Sequence, residues 1–568
     1  MTWKTKYRYK RPRKIRFFVI LFFFAVSFVV LLGHLFSIQI VQHERYAEIA
    51  SQNRTASIKY PPNRGLILDR NYNELAINIP KNSIYAIPRY IEDKDKTATR
   101  LAPILGVKEE YVLRRISTDK LFVWIERKAD DNIIEAVRAG NLEGLEFMLE
   151  NERAYPNNSL CSHVIGFVDV DNRGLEGIER FYDRELRGTE GYRIVTVDAK
   201  RRQVDSDKAL FLPPQDGFNI VLTIDHVVQH IVETAMKKCI TKHHPKSAST
   251  IVMDPENGEV LALFNWPDFD INNCSVSSPG EIRNRAVTDI FEPGSSFKIV
   301  TASAALEEQI VDMDDEFDCE NGSYKIANRV LHDHRKHGIL SFKNIIEVSS
   351  NIGTVKVAEK LGPDKLYKYI DLFGFGKNTG IDLPGEVSGI ARKPGEWTEG
   401  SIAALPIGQE IAVTAIQMVD AIACIANDGI RVQPHLLKRV TDKNGVVIRE
   451  YNPKLVKRVI STETCAKVKD ILKMVVESGT GQRARLKSYS TAGKTGTAQR
   501  LEENGSYSHT KFNSVFVGFA PADEPRIAVC VLLVEPYPQY YGGTVAAPVF
   551  SEITDRALRH LGVRPNDF

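Results

Sequence analysis

Three short motifs carry residue types suited to an acyl transfer: Ser295-Ser296-Phe297-Lys298, Ser349-Ser350-Asn351 and Lys494-Thr495-Gly496-Thr497. A serine hydroxyl is a poor nucleophile until an adjacent base takes its proton. A lysine is such a base only where burial and nearby positive charge lower its pKa. Lys298 follows Ser295 by three residues and shares its helical face, and Ile299, Val300, Ala302 and Ala304 offer the burial. Lys494 supplies positive charge that depresses Lys298 and attracts a substrate carboxylate. The Ser349 hydroxyl can relay a proton between lysine and leaving group, while the Asn351 amide can hold a substrate peptide group. Gly496 lets a peptide approach a strand backbone and join it as an added strand.

Each motif alone is weak. S-x-x-K also occurs at Ser117/Lys120 and Ser508/Lys511, and S-x-N at Ser51/Asn53. Context selects Ser295. Pro293-Gly294 make a turn, and a small-residue apolar helix follows, so the serine stands at a helix start where developing negative charge is favoured. Ser117 and Ser508 lie in polar, charged segments instead. A P-loop reading of Gly493-Lys494-Thr495 fails because the required earlier glycine is missing.

The elements around these motifs predict an α+β domain over residues 216–562, with an antiparallel sheet flanked by helices. DGFNIVLTID reads as a strand, and a helical run follows from His226 to Thr241. SASTIVMDPENGEVLALFN reads as a hairpin about a Pro-Glu-Asn-Gly turn. Two more strands, SVFVGFA and RIAVCVLLVEP, flank residues 521–525, and STAGKTGTAQ is a strand beside them. Residues 295–480 are the more helical part, with Ser349 at a helix-to-helix junction. Ahead of this domain, residues 41–215 predict an elongated mixed α/β module, in which 96–150 read as helical and charged.

Eight Lys/Arg side chains crowd residues 1–16, and an apolar run from Phe17 to Phe36 follows. About twenty helical residues cross a hydrocarbon core roughly 30 Å thick. A cleaved signal peptide fits less well, because the run is long and no A-x-A-like site follows. Residues 17–40 are therefore expected to be a single-pass signal anchor, with 1–16 in the cytoplasm and the remainder outside. The net charge of +3 gives no basic field for nucleic acid. Seven scattered cysteines define no disulfide, and Cys424 and Cys530 read as buried hydrophobes. His332, His334 and His337 in LHDHRKHG read as a polar loop rather than a metal site, and neither metal nor organic cofactor is expected.

The three motifs in this order, with their surroundings, resemble the class B penicillin-binding proteins, monofunctional peptidoglycan D,D-transpeptidases. RGLILDR (64–70), RAYP (153–156) and GFVDVDNRGLEGIERFYD (166–183) are similar to the N-terminal dimerisation or pedestal module of that class. MDPENGEVLA, NRAVTDIFEPGSSFK, Gly408-Gln409, ESGTGQRA and YYGGTVAAPVF are similar to its catalytic domain. FEPGS is most like the division-specific, FtsI-type branch, with an elongation-type role as the alternative. No C-terminal module is read after the catalytic domain, unlike the sporulation and Gram-positive relatives.

The resemblance implies that Ser295 attacks the penultimate D-alanine carbonyl of a stem peptide, with Lys298 as base and Ser349 and Lys494 moving the proton onward. It implies that Asn351 orients the donor, that Thr495 and Thr497 bind its carboxylate, and that the Ser295 and Thr497 N–H groups form an oxyanion hole, typically worth ~3–4 kcal/mol per donor. It also implies an acceptor amine, covalent capture by β-lactams, and a place at the division septum in the inner membrane. There a polytopic glycan polymerase and other division membrane proteins would be partners, with the catalytic domain in the periplasm. A D,D-carboxypeptidase or β-lactamase of the same fold would need neither anchor nor N-terminal module. A β-lactam sensor would need more cytoplasmic chain or further spans, and the intact motifs argue against a scaffold.

Overall fold

The computed structural model describes residues 12–120, 122–197, 203–204, 210–326, 329–502 and 506–565, so the first eleven residues of the basic tail lie outside it. The chain forms two compact units, Met1–Pro62 with Thr189–Gln215, and Asn63–Gly188 with Asp216–Phe568.

The first unit begins with helix α1 (Pro12–Phe36). The apolar stretch continues to Val41, and none of it is buried. Among the described residues it is the one helix long and apolar enough to cross a membrane. A helix over His43–Arg54 follows, as the polar composition permits. It gives way to a strand, Thr55–Tyr60, paired antiparallel with Gly191–Val197.

In the second unit, strands β1 (Glu74–Ala86), β2 (Val123–Ala129) and β3 (Leu145–Ala154) form an antiparallel sheet with β1 between the other two. Helices over Lys94–Leu105, Glu109–Ile116 and Asp131–Gly140 supply Leu101, Val112, Ile134 and Val137 to a small core with Ile84 and Ile125 of the sheet. The helical reading of residues 96–150 thus holds for the helices and fails for β2 and β3. VWIERKA and LEFMLENERA are too charged to announce themselves as strands, and pairing with the long, distant β1 decides their conformation.

The larger part of this unit is a three-layer structure. Helix α2 (His226–His243) precedes the expected hairpin of β4 (Ser247–Met253) and β5 (Val260–Trp266). Helices α3 (Lys298–Glu307), α4 (Asn351–Leu361), α5 (Ala415–Ala426) and α6 (Thr462–Glu477) follow. Strands β6 (Ala492–Leu501), β7 (Tyr507–Ala520) and β8 (Ile527–Val534) then complete the sheet before helix α7 (Ala547–His560). The strand order is β5-β4-β8-β7-β6, and every neighbouring pair is antiparallel.

Both sheet faces are covered, which explains why the strands read as continuous apolar runs. On β8, Val529, Val531 and Leu533 face a core shared with Met236 of α2 and Phe550 of α7. The alternate residues Ala528, Cys530 and Leu532 join a core with α5, which is buried along its whole length. All seven cysteines are unpaired, and Cys424 and Cys530 are buried as expected.

The N-terminal motifs are tied into this unit. Strand Ile67–Leu68 pairs parallel with Asn219–Leu222, which pairs with Leu437–Thr441. Buried Glu179 bridges two buried guanidiniums, Arg64 and Arg153, each at 2.6 Å.

Candidate active site

The segment before α3 turns sharply at Gly294, whose φ of +55° is left-handed. A 3-10 turn over Gly294–Phe297 then runs straight into α3, so Ser295 does occupy a helix start. Two contacts hold the turn. Ser296 Oγ donates to Pro293 O at 2.7 Å, and Gly294 N donates to Gly408 O at 3.0 Å. Gly294, Ser296 and Phe297 are buried, whereas Ser295 is half-buried.

Strand β6 lies against this turn and forms one edge of the sheet. A Cβ on Gly496 would stand 2.6 Å from Pro293 O and 2.9 Å from Ser296 Oγ. The close approach that glycine permits is therefore to the serine turn. The free edge of β6 is what remains open to an added strand.

Lys298 and Lys494 are both fully buried, and their ammonium groups meet at one hydroxyl. Lys494 Nζ donates to Ser349 Oγ at 2.9 Å, and Lys298 Nζ lies 3.3 Å from the same oxygen. Lys298 also donates to Ser349 O at 2.7 Å and Asn351 Oδ1 at 2.9 Å. These acceptors occupy its three donors. No hydrogen bond among the described residues joins Lys298 to Ser295; such contacts in ligand-free sites commonly form only once substrate is bound. Burial first, and then the charge of Lys494, hold Lys298 well below the ordinary lysine range, while Asp333 opposes the shift. Burial brings Lys494 down to about 7.

Ser349 sits between helix Phe342–Glu347 and α4, in a left-handed conformation with φ of +63°. That conformation is strained for a residue with a Cβ, and here it presents both the carbonyl and the hydroxyl to Lys298. The Asn351 side chain is held from both ends, its Oδ1 on Lys298 and its Nδ2 donating to His332 O at 3.0 Å. One amide N–H and one carbonyl lone pair remain for a ligand.

Three residues around these motifs were given no role from the sequence. Thr480 Oγ1 lies 2.8 Å from Thr495 Oγ1. Gly542 N donates to Thr497 Oγ1 at 3.0 Å, leaving that hydroxyl proton free to point outward. Thr480 and Gly542 belong to ESGTGQRA and YYGGTVAAPVF, so their neighbourhoods were legible and their contacts were not. Asp333, in the LHDHRKHG loop, accepts from the N-terminus of α4.

Comparison with known proteins gives two family matches, a penicillin-binding protein transpeptidase domain over residues 248–555 and a penicillin-binding protein dimerisation domain over residues 59–222. The chain belongs to the class B penicillin-binding proteins. Stage V sporulation protein D of Bacillus subtilis is 35% identical over 97% of this chain and 86% of its own length. Peptidoglycan D,D-transpeptidase FtsI of Escherichia coli is 28% identical over 95% of this chain and 91% of its own. Among solved structures, penicillin-binding protein 3 of Mycobacterium tuberculosis in complex with aztreonam shares 29% identity, with a TM-score of 0.69 over 90% of this chain and 98% of that one. As a class B penicillin-binding protein the chain is a peptidoglycan D,D-transpeptidase, and among the described residues α1 is the one helix long and apolar enough to serve as a membrane anchor.

Proposed function

We propose that this class B penicillin-binding protein cross-links stem peptides through an ester on Ser295. The observation that carries the reading is the convergence of buried Lys298 and Lys494 on Ser349 Oγ, with Lys298 one turn along from the half-buried Ser295. Ser295 Oγ attacks the penultimate D-alanine carbonyl as Lys298 takes its proton. The C–N bond breaks, and the departing D-alanine amine receives a proton through Ser349, resupplied from the lysine pair. An amine of a second stem peptide then attacks the ester and releases Ser295. Thr495 and Thr497 bind the donor carboxylate, Asn351 orients its peptide group, and the N–H groups of Ser295 and Thr497 receive the developing oxyanion. β-Lactams mimic the donor and acylate the same oxygen.

Residues 41–215 act as the pedestal or dimerisation module and 216–562 as the catalytic domain, a division supported by the two family matches. The basic tail supports a cytoplasmic N-terminus and a periplasmic catalytic domain. FEPGS and the likeness to FtsI support work at the division septum, beside a polytopic glycan polymerase and other division membrane proteins. The higher identity to a sporulation protein favours a second reading, cross-linking of a spore-associated wall.

Fluorescent penicillin should label the wild-type chain and leave Ser295→Ala unlabelled; equal labelling would remove Ser295 from its role. Incubation with a pentapeptide donor and an amine acceptor should yield a cross-linked product, and hydrolysis alone would point to a carboxypeptidase. A fluorescent fusion that failed to collect at the septum of dividing cells would sink the division reading.

A further inference from the structure

The loop that the sequence marked only as polar reaches the catalytic turn. Strand Arg329–His332 pairs with Ser323–Ile326, and beyond it Asp333 N donates to Gly322 O at 3.2 Å. Thus anchored, the Asp333 carboxylate accepts three bonds. Ser350 Oγ donates to Oδ2 at 2.6 Å, and the N–H groups of Asn351 and Ile352 donate to Oδ1 at 2.5 and 3.1 Å. The preceding carbonyl, His332 O, holds the Asn351 amide. Two consecutive residues of one loop therefore grip both the backbone and the side chain of the Ser349–Asn351 turn. An ionised carboxylate suits this place, because the start of α4 offers free N–H groups and the positive end of its dipole.

We propose that Asp333 is a positioning residue for the transpeptidase: its carboxylate locks the Ser349–Asn351 turn against Lys298 and supplies negative charge on that side of the site. The inference rests on Lys298 being the base for Ser295. The groups facing Lys298 are Lys494 from β6, Ser349 and Asn351 from the turn before α4, and Asp333 and the Cys319 thiol from the loops beside it. Lys494 pushes its proton off, and Asp333 holds the proton on. Asp333 thus sets geometry and also limits how easily the base becomes free.

The test is the rate of acylation by penicillin as a function of pH, on the full-length chain in detergent micelles. Asp333→Asn preserves shape and removes charge. It should lower the plateau about tenfold or more through loss of geometry. It should also move the acid limb to lower pH by about one unit, since the ammonium of Lys298 loses its stabilising neighbour. Asp333→Glu keeps the charge and should leave the limb in place while the plateau falls. This variant also serves if the asparagine protein does not fold. A limb that stays put in Asp333→Asn, or moves in Asp333→Glu, overturns the inference. Lys298→Ala is the control for the underlying reading. Normal acylation there would overturn Lys298 as base, whereas lost acylation there together with an unmoved limb in Asp333→Asn overturns the role of Asp333 alone.

Discussion

Lys298 and Lys494, 196 positions apart in the chain, share one hydroxyl: their Nζ atoms lie 3.3 and 2.9 Å from Ser349 Oγ. Two buried amines this near one oxygen resist carrying two protons together, and the charge of Lys494 adds to burial in holding Lys298 down. Ser349 Oγ accepts from both amines, the arrangement that supports the relay role proposed for it.

The burial of Lys494 leaves a signature in stability against pH. Its folded pKa of about 7 lies below the unfolded lysine value near ~10.4. Between these values the unfolded chain binds a proton that the folded chain does not, so this group makes stability rise with pH across that window. Below about 7 the penalty is complete. Lys494→Met should thus melt higher than wild type at pH 6, by about 1–3 kcal/mol, with the advantage shrinking toward pH 10 and acylation lost throughout. Melting curves at several pH values test the sign, and a variant less stable at pH 6 would contradict it.

Gly496→Ala should damage folding and chemistry together. The new methyl would press on Pro293 O and Ser296 Oγ, both in the turn that carries Ser295. Overpacking of this kind costs about 1–3 kcal/mol, and a displaced nucleophile should slow acylation about a hundredfold. Thermal denaturation and penicillin acylation kinetics measure the two effects; wild-type acylation would show that the turn tolerates the shift.

Thr480→Val separates binding from chemistry. It removes the hydroxyl that meets Thr495 Oγ1 and little else. The expected loss is about 1 kcal/mol, appearing as a roughly fivefold weaker KM for a D-Ala-D-Ala donor with kcat nearly unchanged. A fall confined to kcat would place Thr480 in the chemical step instead.

Glu179→Gln should destabilise the second unit without altering the site. The carboxylate is fully buried between Arg64 and Arg153, and the Arg153 Nη2 atom is already without a partner. Neutralising it leaves the buried Arg153 guanidinium without a carboxylate, while Arg64 keeps Asp183, a loss of about 3–5 kcal/mol. Denaturant unfolding should show the drop, while the folded fraction still acylates at the wild-type rate.

The sequence by itself determined the reactive residue types, their order, and the layered sheet and helices that carry them. Those signals are local: Pro-Gly before a small-residue helix marked Ser295, and alternating or continuous apolar runs marked β4, β5, β7 and β8. Tertiary structure alone decided what required distant segments to meet. Strands β2 and β3 form because β1 is available to pair with them. Gly496 proved to be spaced for the serine turn, Thr480 and Gly542 back the two threonines, and Asp333 grips the start of α4. Hydrogen bonds and close contacts across such separations leave no periodicity in a chain. They depend on where folding brings two surfaces together, and that is settled only in the tertiary structure.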